Sequence, residues 1–111
     1  MFPVKSHGAV VVIVPNAPLK AEQGVELKET VHYFVTDGLP MVVVDCRDVP
    51  LMDSAGLESL LDLHEDIESR GGSIRLAALP QLCQDILRVT GIDRTLAVYE
   101  DEKSAVRSFL P

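Results

Sequence analysis

The 111-residue sequence is poor in the residues that build covalent or metal-held frameworks, with two cysteines, Cys46 and Cys83, and three histidines. The cysteines stand 37 positions apart with no CxxC and no histidine cluster beside either, which excludes a dithiol redox motif and a zinc site. Both read as buried thiols in a reducing compartment. No glycine-rich phosphate loop occurs, so a nucleotide cradle of that type is excluded. The longest apolar run, residues 9–14, is far short of the roughly 20 residues a membrane-spanning helix needs. It is β-branched and leads into Pro15 and Pro18 rather than a small-residue cleavage site, which argues against a secretory leader. Cations are scarce too. Ten Lys and Arg against 17 Asp and Glu leave a net charge of −7, unfavourable for nucleic-acid phosphates and for an anionic membrane surface. These absences point to a cytoplasmic protein.

What is present is a chain 47% hydrophobic, enough at this length for one modest core and one domain over residues 1–111. The punctuation falls at regular intervals. Residues 2–5 read as a short edge strand, turning at Ser6-His7-Gly8 into the buried run 9–14. A helix over about 19–35 follows, with Leu27, Val31 and Phe34 at helical spacing beside Val25 and Val35, and Asp37-Gly38 as its stop. Residues 41–45 form a second buried strand. A helix opening at Ser54 carries Leu57, Leu60, Leu61, His64 and Ile67 on one stripe and closes at Gly71-Gly72. Residues 73–78 alternate as a half-buried strand, and Pro80 opens a third helix with Leu82, Ile86 and Val89 inward and Gly91-Ile92 as its close. A last strand over 95–99 and a helix over 101–110, with Ala105, Val106 and Phe109 inward, complete the order β-β-α-β-α-β-α-β-α. Such alternation implies an α/β fold with a mostly parallel sheet of four or five strands, about four helices, and the first hairpin as an antiparallel edge.

In open α/β sheets the functional crevice lies beyond the carboxyl ends of the strands. Here that is the loop from Cys46 to Asp53 and the helix start after it. Ser54 sits where a helix-capping residue belongs, and taken alone it reads as a structural cap. Glu58 lies one position too late to complete a capping box. Gly56, inside the first helical turn, costs up to ~1 kcal/mol relative to Ala, so a close approach by another backbone or a partner is expected there. An enzymatic reading finds little support. Ser54 and His64 are ten positions apart on one helix, about 15 Å at ~1.5 Å per residue, too far for a nucleophile and its base. His7 and His32 stand in no motif, and His64, on the apolar stripe, reads as a half-buried structural residue. The acidic groups Glu65-Asp66-Glu68 and Glu100-Asp101-Glu102 lack calcium-loop spacing and read as solvated helix faces and starts. No catalytic residue, metal or cofactor is implied.

The segment Met52-Asp53-Ser54-Ala55-Gly56-Leu57, between the strand at 41–45 and a helix ending at Gly71-Gly72, resembles the signature of the STAS domain family, the sulfate transporter and anti-sigma factor antagonist domains. Ile74-Arg75-Leu76-Ala77, the stretch 80–87 and Thr90-Gly91-Ile92-Asp93 are similar to that family's later strand, helix and closing turn, so the resemblance covers nearly the whole chain. It implies the STAS fold, and an anti-sigma factor antagonist acting in a partner switch. In that scheme an anti-sigma factor that is also a serine kinase phosphorylates Ser54, the unphosphorylated form binds the anti-sigma factor, and the sigma factor is released to act on transcription. A serine phosphatase would reset the switch. Asp53 matches the acidic neighbour of the phosphoserine. The implied partner-binding residues are Asn16, Leu19, Met52, Asp53, Ser54, Gly56, Leu57 and Glu58, although Leu57 reads as well as a core contact. One departure stands out. The switching class carries an acid in the turn after the second strand, where this chain has Pro15-Asn16-Ala17-Pro18-Leu19. The alternative reading is therefore a STAS scaffold that recruits a transporter ATPase or a stress-sensing complex without phosphorylation. Self-association is compatible with the sequence but not implied by it.

Overall fold

The computed structural model describes residues 1–35 and 38–110. Its elements are β1 (Val4–His7), β2 (Val10–Ile13), α1 (Ala21–Phe34), β3 (Met41–Asp45), α2 (Ser54–Ser69), β4 (Ser73–Ala77), α3 (Gln81–Thr90), β5 (Ala97–Tyr99) and α4 (Glu102–Arg107), with a 3-10 turn at Ile92–Arg94 before β5. The five strands form one sheet in the order β1-β2-β3-β4-β5, antiparallel between β1 and β2 and parallel elsewhere. This is the expected order and class. The edge strand lies two residues later than expected because the chain turns at Gly8, whose φ of +61° suits glycine, so Ser6 and His7 stay paired with Val11 and Val10.

The β-branched runs are buried on both faces, as their lack of alternation implies. Ile13, Val42 and Val44 pack under α1, α2 and α3, whereas Val10, Val12 and Val43 pack under α4 with Ala77 and Ala105. The helix stripes differ in part from expectation. On α1, Leu27 and Val31 are buried with Gly24 and Thr30, but Val25 faces solvent, being turned about 200° from Leu27 at ~100° per residue. Phe34, the last residue of α1, stacks edge-on against Tyr33 rather than on the sheet. On α2 the buried line runs through Leu57, Leu60, Leu63 and Ile67, leaving Leu61 and His64 at its flank. On α3 the buried pair is Cys83 and Leu87, while Leu82 and Val89 are 53% and 82% exposed. The expected stripe is therefore rotated by about 100°, because Cys83 and Leu87 have the same i, i+4 spacing as Leu82 and Ile86. Gly71 (φ +82°) and Gly91 (φ +76°) take the left-handed positions after α2 and at the close of α3. The Asp37 half of the expected stop after α1 lies outside the described residues. Both thiols are free and buried. Burial pushes their pKa values up, for Cys46 with a further contribution from Cys83, so neither is an activated thiolate.

A charged clamp ties α4 to the sheet. Asp45 ends β3 with a side chain 0% exposed, and Arg47 binds it in a fork, with Nη2 2.6 Å and Nε 3.1 Å from Oδ2. Glu102 of α4 joins from the other side, 3.7 Å from the Arg47 guanidinium, 2.8 Å from Lys5 Nζ and 3.3 Å from His7 Nε2. Burial alone would raise the Asp45 pKa, but the hydrogen bonds and charge of Arg47 hold it below the usual carboxylate range. At the far end of α4, Arg75 lies 3.8 Å over the Phe109 ring and reaches Ser108 Oγ. Because Asp45 titrates lower in the folded state than in the unfolded chain, its contribution is present above pH ~4 and is lost as pH falls through the folded value. Arg47→Ala is expected to leave the buried carboxylate without its cation and so raise its folded pKa. Acid titration followed by circular dichroism should then show an unfolding midpoint at higher pH than in the parent chain.

Candidate functional site

Two loops meet at the carboxyl end of the sheet. The β2–α1 loop and the β3–α2 loop are joined by an isolated parallel bridge between Leu19 and Met52, with Leu19 N–H donating to Leu51 O at 2.9 Å and Asp53 N–H to Leu19 O at 3.2 Å. The bridge brings the carbonyl of Leu19 against the first turn of α2, where a β-carbon on Gly56 would overlap it. This is why glycine occupies a helical position that Ala would otherwise favour.

Asp53, not Ser54, caps α2. Its backbone is extended (φ −98°, ψ −179°) and Oδ1 accepts from Gly56 N–H at 2.9 Å. The expectation of a Ser54 cap is thereby corrected: the extended residue lies one position earlier, so Ser54 becomes the first helical residue. The correction frees the hydroxyl. Ser54 is exposed at the positive end of a 16-residue helix, a setting that tolerates added negative charge. Glu58, one turn along, and Asn16 of the neighbouring loop are exposed as well, and Asp53 is half-buried beside them. The other four residues of the expected set lie beneath this surface. Leu19, Met52, Gly56 and Leu57 are buried, so they hold the two loops together and do not present side chains to a partner. His64 lies on α2 as Ser54 does, half-buried, and the two are separated by about 15 Å along the helix.

The family model for the STAS domain matches residues 1–105 of the 111. The chain belongs to the STAS domain family. A protein of Thermotoga maritima provisionally named an anti-sigma factor antagonist is 28% identical over 107 residues, which span 96% of this chain and 95% of that protein. The crystal structure of a T. maritima protein with the same provisional name superposes with a TM-score of 0.88 at 27% identity, over 96% of this chain and 92% of that one. The anti-sigma factor antagonist SpoIIAA in its unphosphorylated form has a TM-score of 0.78 at 15% identity, over 97% of this chain and 95% of its own, a likeness of fold. Among the described residues no helix is long and apolar enough to cross a membrane, and no cluster of three or more His, Cys, Asp or Glu side chains is placed to hold a metal ion.

Sequence reasoning on this STAS chain passed over Arg47. It stands on the loop leaving β3, with its side chain 55% exposed while anchored to Asp45. The available signal was Asp45 itself, since an acid closing a buried β-branched strand requires a cation. Substitution of the glycine tests the packing of the two loops. Helix propensity alone favours Gly56→Ala by up to ~1 kcal/mol, whereas overpacking against the Leu19 backbone costs about 1–3 kcal/mol. The overlap with backbone, which cannot rotate away, is expected to win, and a urea titration should give a net loss of stability. Asp53→Ala should cost about 1 kcal/mol in the same measurement through loss of the cap.

Proposed function

We propose that this STAS domain is an anti-sigma factor antagonist that binds its anti-sigma factor through the surface around Ser54 and is switched off by phosphorylation of that serine. The carrying observation is the position of Ser54: exposed, first in α2, and relieved of the capping role by Asp53. A phosphate there is stabilised by the unpaired N–H groups and dipole of the helix start, so the fold tolerates it. The same phosphate adds about −1.5 to −2 charges beside Asp53 and Glu58, which penalises docking by a partner that has to desolvate the surface. Asn16, Asp53, Ser54 and Glu58 form the contact surface in this reading, and Leu19, Met52, Gly56 and Leu57 fix its shape. The partner is an anti-sigma factor with serine kinase activity and a basic docking face, matched to a chain of net charge −7. Release of the sigma factor then alters transcription, and a serine phosphatase resets the switch in the cytoplasm. The relatives named as anti-sigma factor antagonists support the class.

Incubation with the anti-sigma kinase of the same cell and ATP should add one phosphate by intact-mass spectrometry, absent in Ser54→Ala. Ser54→Asp should weaken binding to that kinase by about tenfold or more while leaving the thermal midpoint unchanged or higher, as an acid at a helix start predicts. Unmodified Ser54 in the presence of an active kinase, or full binding by Ser54→Asp, would overturn the switch and leave a STAS scaffold that recruits its partner constitutively.

A further inference from the structure

The two helices beside the site start next to each other, and their caps are unlike. The bridge between Leu19 and Met52 is parallel, so in the same register Lys20 stands beside Asp53. Both residues are extended, Lys20 at φ −115° and ψ −167° and Asp53 at φ −98° and ψ −179°. Each is the residue before a helix, α1 at Ala21 and α2 at Ser54. Asp53 accepts a helix N–H. Lys20 makes no side-chain cap, because an ammonium has three donors and no acceptor. Lysine here breaks two local rules. It leaves the free N–H groups of the first turn without the acceptor that Asn, Asp, Ser or Thr would supply, and it sets a cation at the positive end of a 14-residue helix. The rest of the cap is well formed, since Gln23 Oε1 accepts from Lys20 N–H at 3.2 Å, the returning half of a capping box. Such breaks of a local rule concentrate where function makes a separate demand.

The demand is for an anion. Over residues 15–20 and 46–58, the two loops and the first turn of α2, the only cations are Lys20 and Arg47. Arg47 is held by Asp45, whereas Lys20 is exposed and joins no ion pair among the described residues. Neighbouring strands lie about 4.8 Å apart and successive Cα atoms about 3.8 Å, which puts the backbones of Lys20 and Ser54 within roughly 9 Å. The flexible four-carbon stem of lysine spans that gap. We propose that Lys20 is the positioning residue for a phosphate on Ser54, an unpaired cation before phosphorylation and the ion-pair partner of the phosphate afterwards. This rests on the phosphorylation reading of Ser54 above. Asp53 and Glu58 of the α2 start and Glu22 in the first turn of α1 oppose the second ionisation of that phosphate, and Lys20 favours it. Phosphorylation then changes the surface twice, adding an anion at α2 and withdrawing a free cation at α1. The pair also neutralises the charge that is unfavourable at the start of α1.

The test places phosphoserine at position 54 of the full chain by genetic-code expansion and follows its phosphorus NMR resonance against pH. No kinase is needed, so failure of the pair is distinct from failure of the switch. A phosphoserine loses its second proton near pH ~6. Lys20→Gln should raise that midpoint by about half a unit over the parent phosphoprotein, the scale of a surface ion pair, and high salt should shrink the difference. Lys20→Arg should keep the parent midpoint, since the cation is retained. Lys103→Gln, which removes an exposed cation of α4, should leave it unchanged. In the chain without phosphate, Lys20→Asp should raise the thermal midpoint by supplying the missing cap. Equal phosphate midpoints in Lys20→Gln and the parent, an equal shift in Lys103→Gln, or a lower thermal midpoint in Lys20→Asp would each overturn the proposal.

Discussion

The presentation of the site depends on one close approach, that of the Leu19 carbonyl to Gly56 in the first turn of α2. The bridge between Leu19 and Met52 holds two loops that would otherwise be free at the carboxyl end of the sheet. Each loop alone would lose conformational entropy of roughly 1–2 kcal/mol per ordered residue, and two backbone hydrogen bonds return only about 1 kcal/mol each. Burial of Leu19, Met52 and Leu57 in the main core supplies the rest, at about 1.5–3 kcal/mol for each large apolar side chain. That burial is possible only if the loop backbone reaches the helix, and it reaches the helix only where no β-carbon stands in the way. A glycine therefore does structural service for a serine two residues earlier.

The two ends of β3 and α2 divide polar labour in opposite ways. Asp45 is buried and neutralised by Arg47, so its charge is spent on fixing α4 to the sheet. Asp53 is half exposed and spends its charge on one N–H of α2. Burying the first without Arg47 would cost several kcal/mol, whereas losing the second costs about 1 kcal/mol. The larger penalty therefore falls at the β3 end, where the carboxylate is buried.

Much of this was legible in the sequence because local signals agreed. Met41–Asp45 could be bounded to the residue, since an unbroken β-branched run between Pro40 and Cys46 offers no other period. The expected helix opening at Ser54 agrees with α2, which begins at that residue. The failures share one physical origin, a choice between neighbours of equal local merit. Asp53 and Ser54 are both good caps, and only the extended backbone at Asp53 decides between them. On α3, Leu82-Ile86 and Cys83-Leu87 have equal spacing, and the direction of the sheet, which no local pattern encodes, selects the less hydrophobic pair. The reason for Gly56 was sought correctly in a close approach, but Leu19 is 37 positions away and its contact is tertiary.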